Sequence, residues 1–308
     1  MTQELNLIKS TKLDTYRTFF SNPIQLDFVL PGLLRANTGA LIGPGGTGKS
    51  FLALQLATWV SSFGAWNPLG LTLPDSPTFN RNFPDDYIRV AYVSAEDPLV
   101  VIHNRIVSMA QFLNNDIRER VGSCLDIYSF KGLAPYLMYF QNGEVTRNKA
   151  WIESFKQGLK DVDLVFLDTL SRFHAVTEND NDSMKQVVDL FDEIAIECKC
   201  SIVFLHHSNK SAMREDKGDD QTASRGASSL TDNIRWQMNI RRMTKSEAES
   251  PYNTDFPKRW VLLSGSKINY AEEPDSEGAL WLYRDPENQG VLTRQDPPRK
   301  EKQGGTSW

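Results

Sequence analysis

Cysteine is scarce in this chain. The three present, Cys124, Cys198 and Cys200, are odd in number and show no metal-ligand spacing. Cys198 and Cys200, which flank one lysine at a helix end, are expected as reduced core residues, and this suits a reducing compartment. No apolar run approaches the roughly 20 residues of a membrane span. The N-terminal residues MTQELNLIKSTK lack the apolar segment of a secretory signal. A cytoplasmic protein with no membrane partner is the expectation. A basic excess is also missing. There are 34 Lys and Arg against 39 Asp and Glu, for a net charge of −5. That argues against a dedicated duplex-DNA binder, though not against a local basic surface. No internal repeat is visible.

What the chain does have is a glycine-rich octet, Gly43-Pro44-Gly45-Gly46-Thr47-Gly48-Lys49-Ser50. It fits the phosphate-loop pattern G-x-x-x-x-G-K-[ST] at every fixed position. Ala40-Leu41-Ile42 before it reads as a strand, and residues 51–63 (FLALQLATWVSSF), from Phe51 on, read as a helix. Gly43, Gly45, Gly46 and Gly48 allow backbone N–H groups to curl around phosphate oxygens. The helix N-terminus adds a partial positive charge. Lys49 is expected to reach the β- and γ-phosphates, and Ser50 to place its hydroxyl on Mg²⁺. ATP and Mg²⁺ are the cofactors this loop calls for.

Downstream, strands expected at 88–94, 125–129, 163–168 and 201–206 alternate with helices at 98–113, 149–160 and 183–198. Asp97 reads as an N-cap with Pro98 at the first helical position, and Ser183 with Gln186 as a capping box. Near-continuous apolar strands between amphipathic helices predict a parallel sheet covered on both faces. After about residue 233 three strands follow without helices, so an antiparallel C-terminal extension is expected. The boundaries predicted are an arm at 1–22, one α/β domain over 23–285, and a flexible polar tail at 286–308. A proline-rich stretch at 64–87 reads as a surface insertion, and 208–224 as a mobile loop.

Two carboxylates complete the predicted site. Asp168 closes the apolar strand Leu164–Leu167, at the crevice where open α/β sheets bind ligands, and suits the magnesium side. Glu96 ends the module Ser94-Ala95-Glu96-Asp97. It is preferred to Asp97 as the group that polarises water, because Asp97 has a capping role available. His206 and His207 end the 201–206 strand, and a polar group there would sense the γ-phosphate.

Taken with YVSAEDP at 92–98, LVFLDTLSRFH at 164–174, ENDNDSM at 178–184, FLHHSNK at 204–210, ASRGASSLTDNIRW at 223–236 and SKINY at 266–270, this arrangement resembles the RecA-like P-loop ATPases. Within them it is most similar to the hexameric replicative helicases of the RepA plasmid type. The resemblance implies an α/β, RecA-like P-loop NTPase fold and a ring of identical subunits. It implies ATP-driven movement on single-stranded DNA, with repair or recombination ATPases and non-DNA regulatory ring ATPases as the alternatives. It also implies Arg225 as an arginine finger supplied to the neighbouring subunit, Lys267 as a second cation, and His207 rather than His206 as sensor. The 208–224 loop and the loop after Asp168, with Phe173 and His174, would face DNA. The 208–224 loop has mixed charge and no aromatic residue, so DNA as a partner rests on the resemblance.

Overall fold

The computed structural model describes residues 12–80, 87–208, 228–270 and 279–300. Arg225 and all of the predicted 208–224 loop except Ser208 lie outside them. A one-turn helix, α1 (Thr15–Thr18), precedes a small antiparallel pair, β1 (Phe28–Leu30) and β2 (Leu33–Leu34). The chain then enters β3 (Thr38–Gly43), turns through the glycine loop and continues as α2 (Lys49–Ser61). Next come β4 (Val90–Ser94), α3 (Leu99–Ala110), α4 (Asn115–Cys124), β5 (Leu125–Ser129), β6 (Met138–Gln141), β7 (Glu144–Arg147) and α5 (Lys149–Gly158). These lead to β8 (Leu164–Asp168), β9 (His174–Ala175), α6 (Asn181–Cys198), β10 (Ser201–His207) and α7 (Ser228–Asn233). The last elements are β11 (Trp236–Arg242), α8 (Lys245–Glu249), β12 (Trp260–Ile268), β13 (Ala279–Arg284) and β14 (Leu292–Arg294).

The central sheet runs β14-β13-β12-β11-β3-β10-β8-β4-β5. The six strands from β11 to β5 are mutually parallel. The last three, β12, β13 and β14, pair antiparallel. Successive side chains of a strand point to opposite faces, and here both faces are buried. Leu41, Tyr92, Phe166 and Leu205 enter one core with α2. Ile42, Val93, Leu167 and Phe204 enter the other with α5 and α6. That double cover is why the parallel strands read as unbroken apolar runs. No helix among the described residues is long and apolar enough to cross a membrane. All three cysteines are free thiols, and burial pushes Cys200 up to about 12.

Several sequence expectations change. Residues 64–80 are a strap against the core rather than a surface insertion. Trp66 and Leu69 are buried. The Ser76 hydroxyl donates to Phe28 O (2.7 Å), and Thr78 N–H donates to Asp27 Oδ1 (2.8 Å). The part of the predicted tail between 286 and 300 is also folded. Val291 and Leu292 are buried, and β14 forms the sheet edge. Its anchor is Gln55 in α2, whose buried amide donates to Leu292 O and accepts from Leu292 N–H, both at 2.9 Å. Asp97 does not cap α3; its carboxylate takes a hydrogen bond from Arg105 Nη1 at 2.6 Å. Asp180, not Ser183, caps α6, accepting from Ser183 N–H at 3.0 Å. Phe173 and His174 are buried instead of facing a loop surface. β9 pairs with β6, and Leu137 N–H donates to Phe173 O, which draws both rings inward.

Candidate nucleotide site

The C-terminal ends of β3, β4, β8 and β10 lie side by side, with His207 opposite Gly43 and Ser94 opposite Asp168. A cavity of about 410 Å³ opens there, lined among others by Gly48, Lys49, Ser50, Glu96, Asp168 and His207. The glycine loop is shaped by close approach as well as by torsion. A Cβ on Gly43 would fall 2.2 Å from Ile240 O on β11, and Gly46 and Gly48 hold φ of 75° and 102°. Within the loop the Thr47 hydroxyl donates to Pro44 O (2.8 Å). The neighbouring Gly45 lies beside the His207 ring. Lys49 is buried and folds its ammonium back on the loop, donating to Gly43 O (2.7 Å) and Pro44 O (2.9 Å). Its Nζ stands 3.3 Å from His207 Nδ1. Phe51 lines the same cavity against Gly290.

Asp168 is almost wholly buried at the end of β8. Burial raises its pKa, and the nearby Glu96 and Asp97 carboxylates push the same way, against hydrogen bonds from Tyr92 and Ser50. The Tyr92 hydroxyl donates to Asp168 Oδ2 at 2.6 Å. Tyr92 was missed by sequence reading; its signal was a lone phenol within an apolar strand. The buried Asp168 carboxylate, with the Glu96 and Asp97 carboxylates near it, leaves a negative site next to the Ser50 hydroxyl. An all-oxygen donor set of this kind fits Mg²⁺, which is held by one or two protein oxygens with phosphates and water completing the shell. No group of three or more His, Cys, Asp or Glu side chains among the described residues is arranged to hold a metal ion.

Of the adjacent acids, Asp97 is fixed by Arg105, whereas Glu96 faces the cavity 3.7 Å from Arg172 Nε. Of the two histidines, His207 lines the cavity. His206 is buried on the opposite face, close enough to depress the His174 pKa. Lys267 is not brought to this chain's own cavity; it lies on β12 and donates to Asp232 O at 3.0 Å. Five further residues border the cavity without having been singled out in the sequence: Arg105, Thr169, Arg284, Gln289 and Gly290. The last three come from the segment predicted as tail or from the strand leading into it.

A family model described as an AAA domain matches residues 8–213, more than half of the chain. Among solved structures, one described as an ATPase domain aligns over 95% of this chain and 98% of its own, at 13% identity and a TM-score of 0.59. A DnaB-like replicative helicase aligns over 85% of this chain at 14% identity and a TM-score of 0.56. The aligned part spans 58% of that helicase's length. The RadB recombinase aligns over 83% of this chain and 90% of its own at 14% identity, with a TM-score of 0.47. At these identities the likeness is one of fold. It is the RecA-like P-loop ATPase fold, with a mainly parallel sheet and an antiparallel extension.

Proposed function

Because this chain belongs to the AAA-domain family, we propose that it is a ring-forming, magnesium-dependent ATPase that moves on single-stranded DNA, as a replicative helicase does. The observation that carries the ATPase half is the convergence of Lys49, Ser50, Glu96, Asp168 and His207 on one cavity. Lys49 leaves the loop carbonyls and pairs with the β- and γ-phosphates. Ser50 and Asp168 hold the magnesium, which when bound neutralises charge on the phosphate oxygens. Glu96 turns from Arg172 to orient and polarise the attacking water. His207, touching Lys49 and ending β10, reports the γ-phosphate to the 208–224 loop that follows. Arg225 of a neighbouring subunit supplies the charge that the transition state lacks, and Lys267 assists it.

The ring half draws on the arm. Leu13, Tyr16, Phe19, Phe20 and Ile24 are all at least 69% exposed, and α1 has no buried residue. Such apolar surface suits an interface between copies. The DNA half draws on the shared fold, since one of the aligned structures is a replicative helicase. One observation favours a second reading, a regulatory or protein-directed ring ATPase. With Phe173 and His174 buried, the described part of the loop after Asp168 offers no aromatic platform for bases.

Steady-state ATP hydrolysis with and without single-stranded DNA, at low and moderate salt, separates them. Salt-sensitive, several-fold stimulation is expected for the helicase, and strand separation on a forked duplex then distinguishes it from a recombination-type ATPase. Hydrolysis indifferent to DNA, with no DNA retained, overturns the DNA reading and leaves the protein-directed one.

A further inference from the structure

The glycine loop is gripped by two arginines from the C-terminal half of the chain, one of which, Arg284, also borders the cavity. Arg242 ends β11 and Arg284 ends β13. The Arg242 guanidinium donates to Gly46 O, and Arg284 Nη2 donates to Thr47 O at 2.7 Å. A peptide unit is planar, with its C=O and N–H pointing in opposite directions. Holding the carbonyls of residues 46 and 47 outward therefore turns the N–H groups of Thr47 and Gly48 toward the inner side of the loop. In this structure the Thr47 N–H meets Pro44 O at a long 3.4 Å. Inward N–H groups are what a phosphate-binding nest consists of.

The contact is close. A Cβ on Gly48 would fall 1.9 Å from Arg284 Nη2, so the glycine there makes room for the guanidinium as well as for its own positive φ. The electrostatics are unfavourable without a ligand. Arg284 is half-buried, its Nε is buried without a hydrogen-bond partner among the described residues, and burial and Arg242 both lower its pKa. Among the described residues neither arginine is ion-paired with a carboxylate. Two cations are thus held against an anion-binding loop with no carboxylate paired to either among the described residues.

We propose that Arg242 and Arg284 are positioning residues that hold the phosphate loop in its anion-binding shape from within the same subunit, with nucleotide phosphates as the missing counter-charge. This rests on the nucleotide-site reading above. It makes nucleotide affinity depend on β11 and β13, because any shift of either strand slackens the loop.

The test is equilibrium binding of fluorescent ADP and of a fluorescent non-hydrolysable ATP analogue to the full chain, for wild type, R242A, R284A, R284K and K49A. R242A and R284A are each expected to weaken both nucleotides by about tenfold or more, the scale of one lost charge-assisted hydrogen bond. R284K, which keeps a donor and the charge, is expected to recover most of the loss. The exposed Arg242 carries the test if truncating Arg284 lowers the melting temperature. Unchanged binding by both alanine variants while K49A loses binding overturns this inference alone. So does a loss confined to the ATP analogue, which would make these arginines direct γ-phosphate ligands. Wild-type binding by K49A overturns the nucleotide-site reading and this inference with it.

Discussion

His174 gives the sharpest check on which surfaces face solvent. Its ring is almost wholly buried, with Nε2 lacking a hydrogen-bond partner among the described residues. Burial, aided by His206 and opposed by Glu178, lowers its pKa from 6.5 to about 4. The fold therefore needs the neutral imidazole. As pH falls below 6.5 the unfolded chain takes up a proton that the folded chain refuses until about pH 4. Stability from this group is full above the unfolded value and is lost as pH falls through that window. The difference of about 2.5 pKa units caps the effect at roughly 3 kcal/mol, of which about 2 kcal/mol is already lost at pH 5. H174F keeps a buried ring and removes the titration. Urea denaturation of wild type and H174F at pH 7 and pH 5 isolates it, because other groups cancel in the difference between the two proteins. The wild type should lose about 2 kcal/mol more than H174F between the two pH values. A gap that moves by less than about 0.5 kcal/mol would mean that His174 titrates like a solvated imidazole. The burial argument would then fail, and the loop after Asp168 would regain a ring for stacking on DNA.

Three other perturbations follow from the same geometry. E96Q should lower the ATP turnover rate by about 10²–10⁴ while leaving ADP affinity near wild type; a normal rate in single-turnover assays removes Glu96 from the water-polarising role. D163A should cost about 3–5 kcal/mol in urea denaturation, because Asp163 accepts from Arg35 Nη2 at 2.5 Å and from Arg89 N–H at 2.9 Å; a loss below about 1 kcal/mol would place that pair in the class of surface ion pairs. Q55L strands both backbone groups of Leu292 and should cost about 2–4 kcal/mol; unchanged stability would show that β14 is not tied to α2.

Much of the site was legible because its signals are local. The octet at 43–50 carries its own chemistry, and Asp168 stands out as the one charge closing an apolar strand. Glu96 also follows from position at a strand end, as does the pair His206-His207, of which the resemblance picks His207; Glu96 and His207 both line the cavity. What could not be read was set by partners far along the chain. Leu292 looks like part of a polar tail until Gln55 is seen to bond it. Trp66 and Leu69 sit among prolines, so a turn-rich composition hid a packed strap. Asp97 has an N-cap's sequence context, yet Arg105, two turns into α3, offers a stronger partner than the helix N–H groups do. Phe173 and His174 follow a strand end and read as loop, but pairing with β6, itself a short hairpin strand without a sequence signature, pulls them in. Arg242 and Arg284 end ordinary alternating strands, and nothing nearby in sequence marks where their guanidiniums go.

The bond between Gln55 and Leu292 has a consequence for how the molecule is made. The helix behind the glycine loop emerges early from the ribosome, but its buried amide has no partner until residue 292 has been added. At about 5–20 residues per second, the 237 positions between them amount to roughly 10–50 s of synthesis. During that interval the amide is satisfied by water, so the seat of α2 is incomplete at Gln55. Nascent chains of this protein therefore carry a complete glycine octet long before they carry a rigid one, and protection of α2 against amide exchange should appear only once the last strand is free of the exit tunnel.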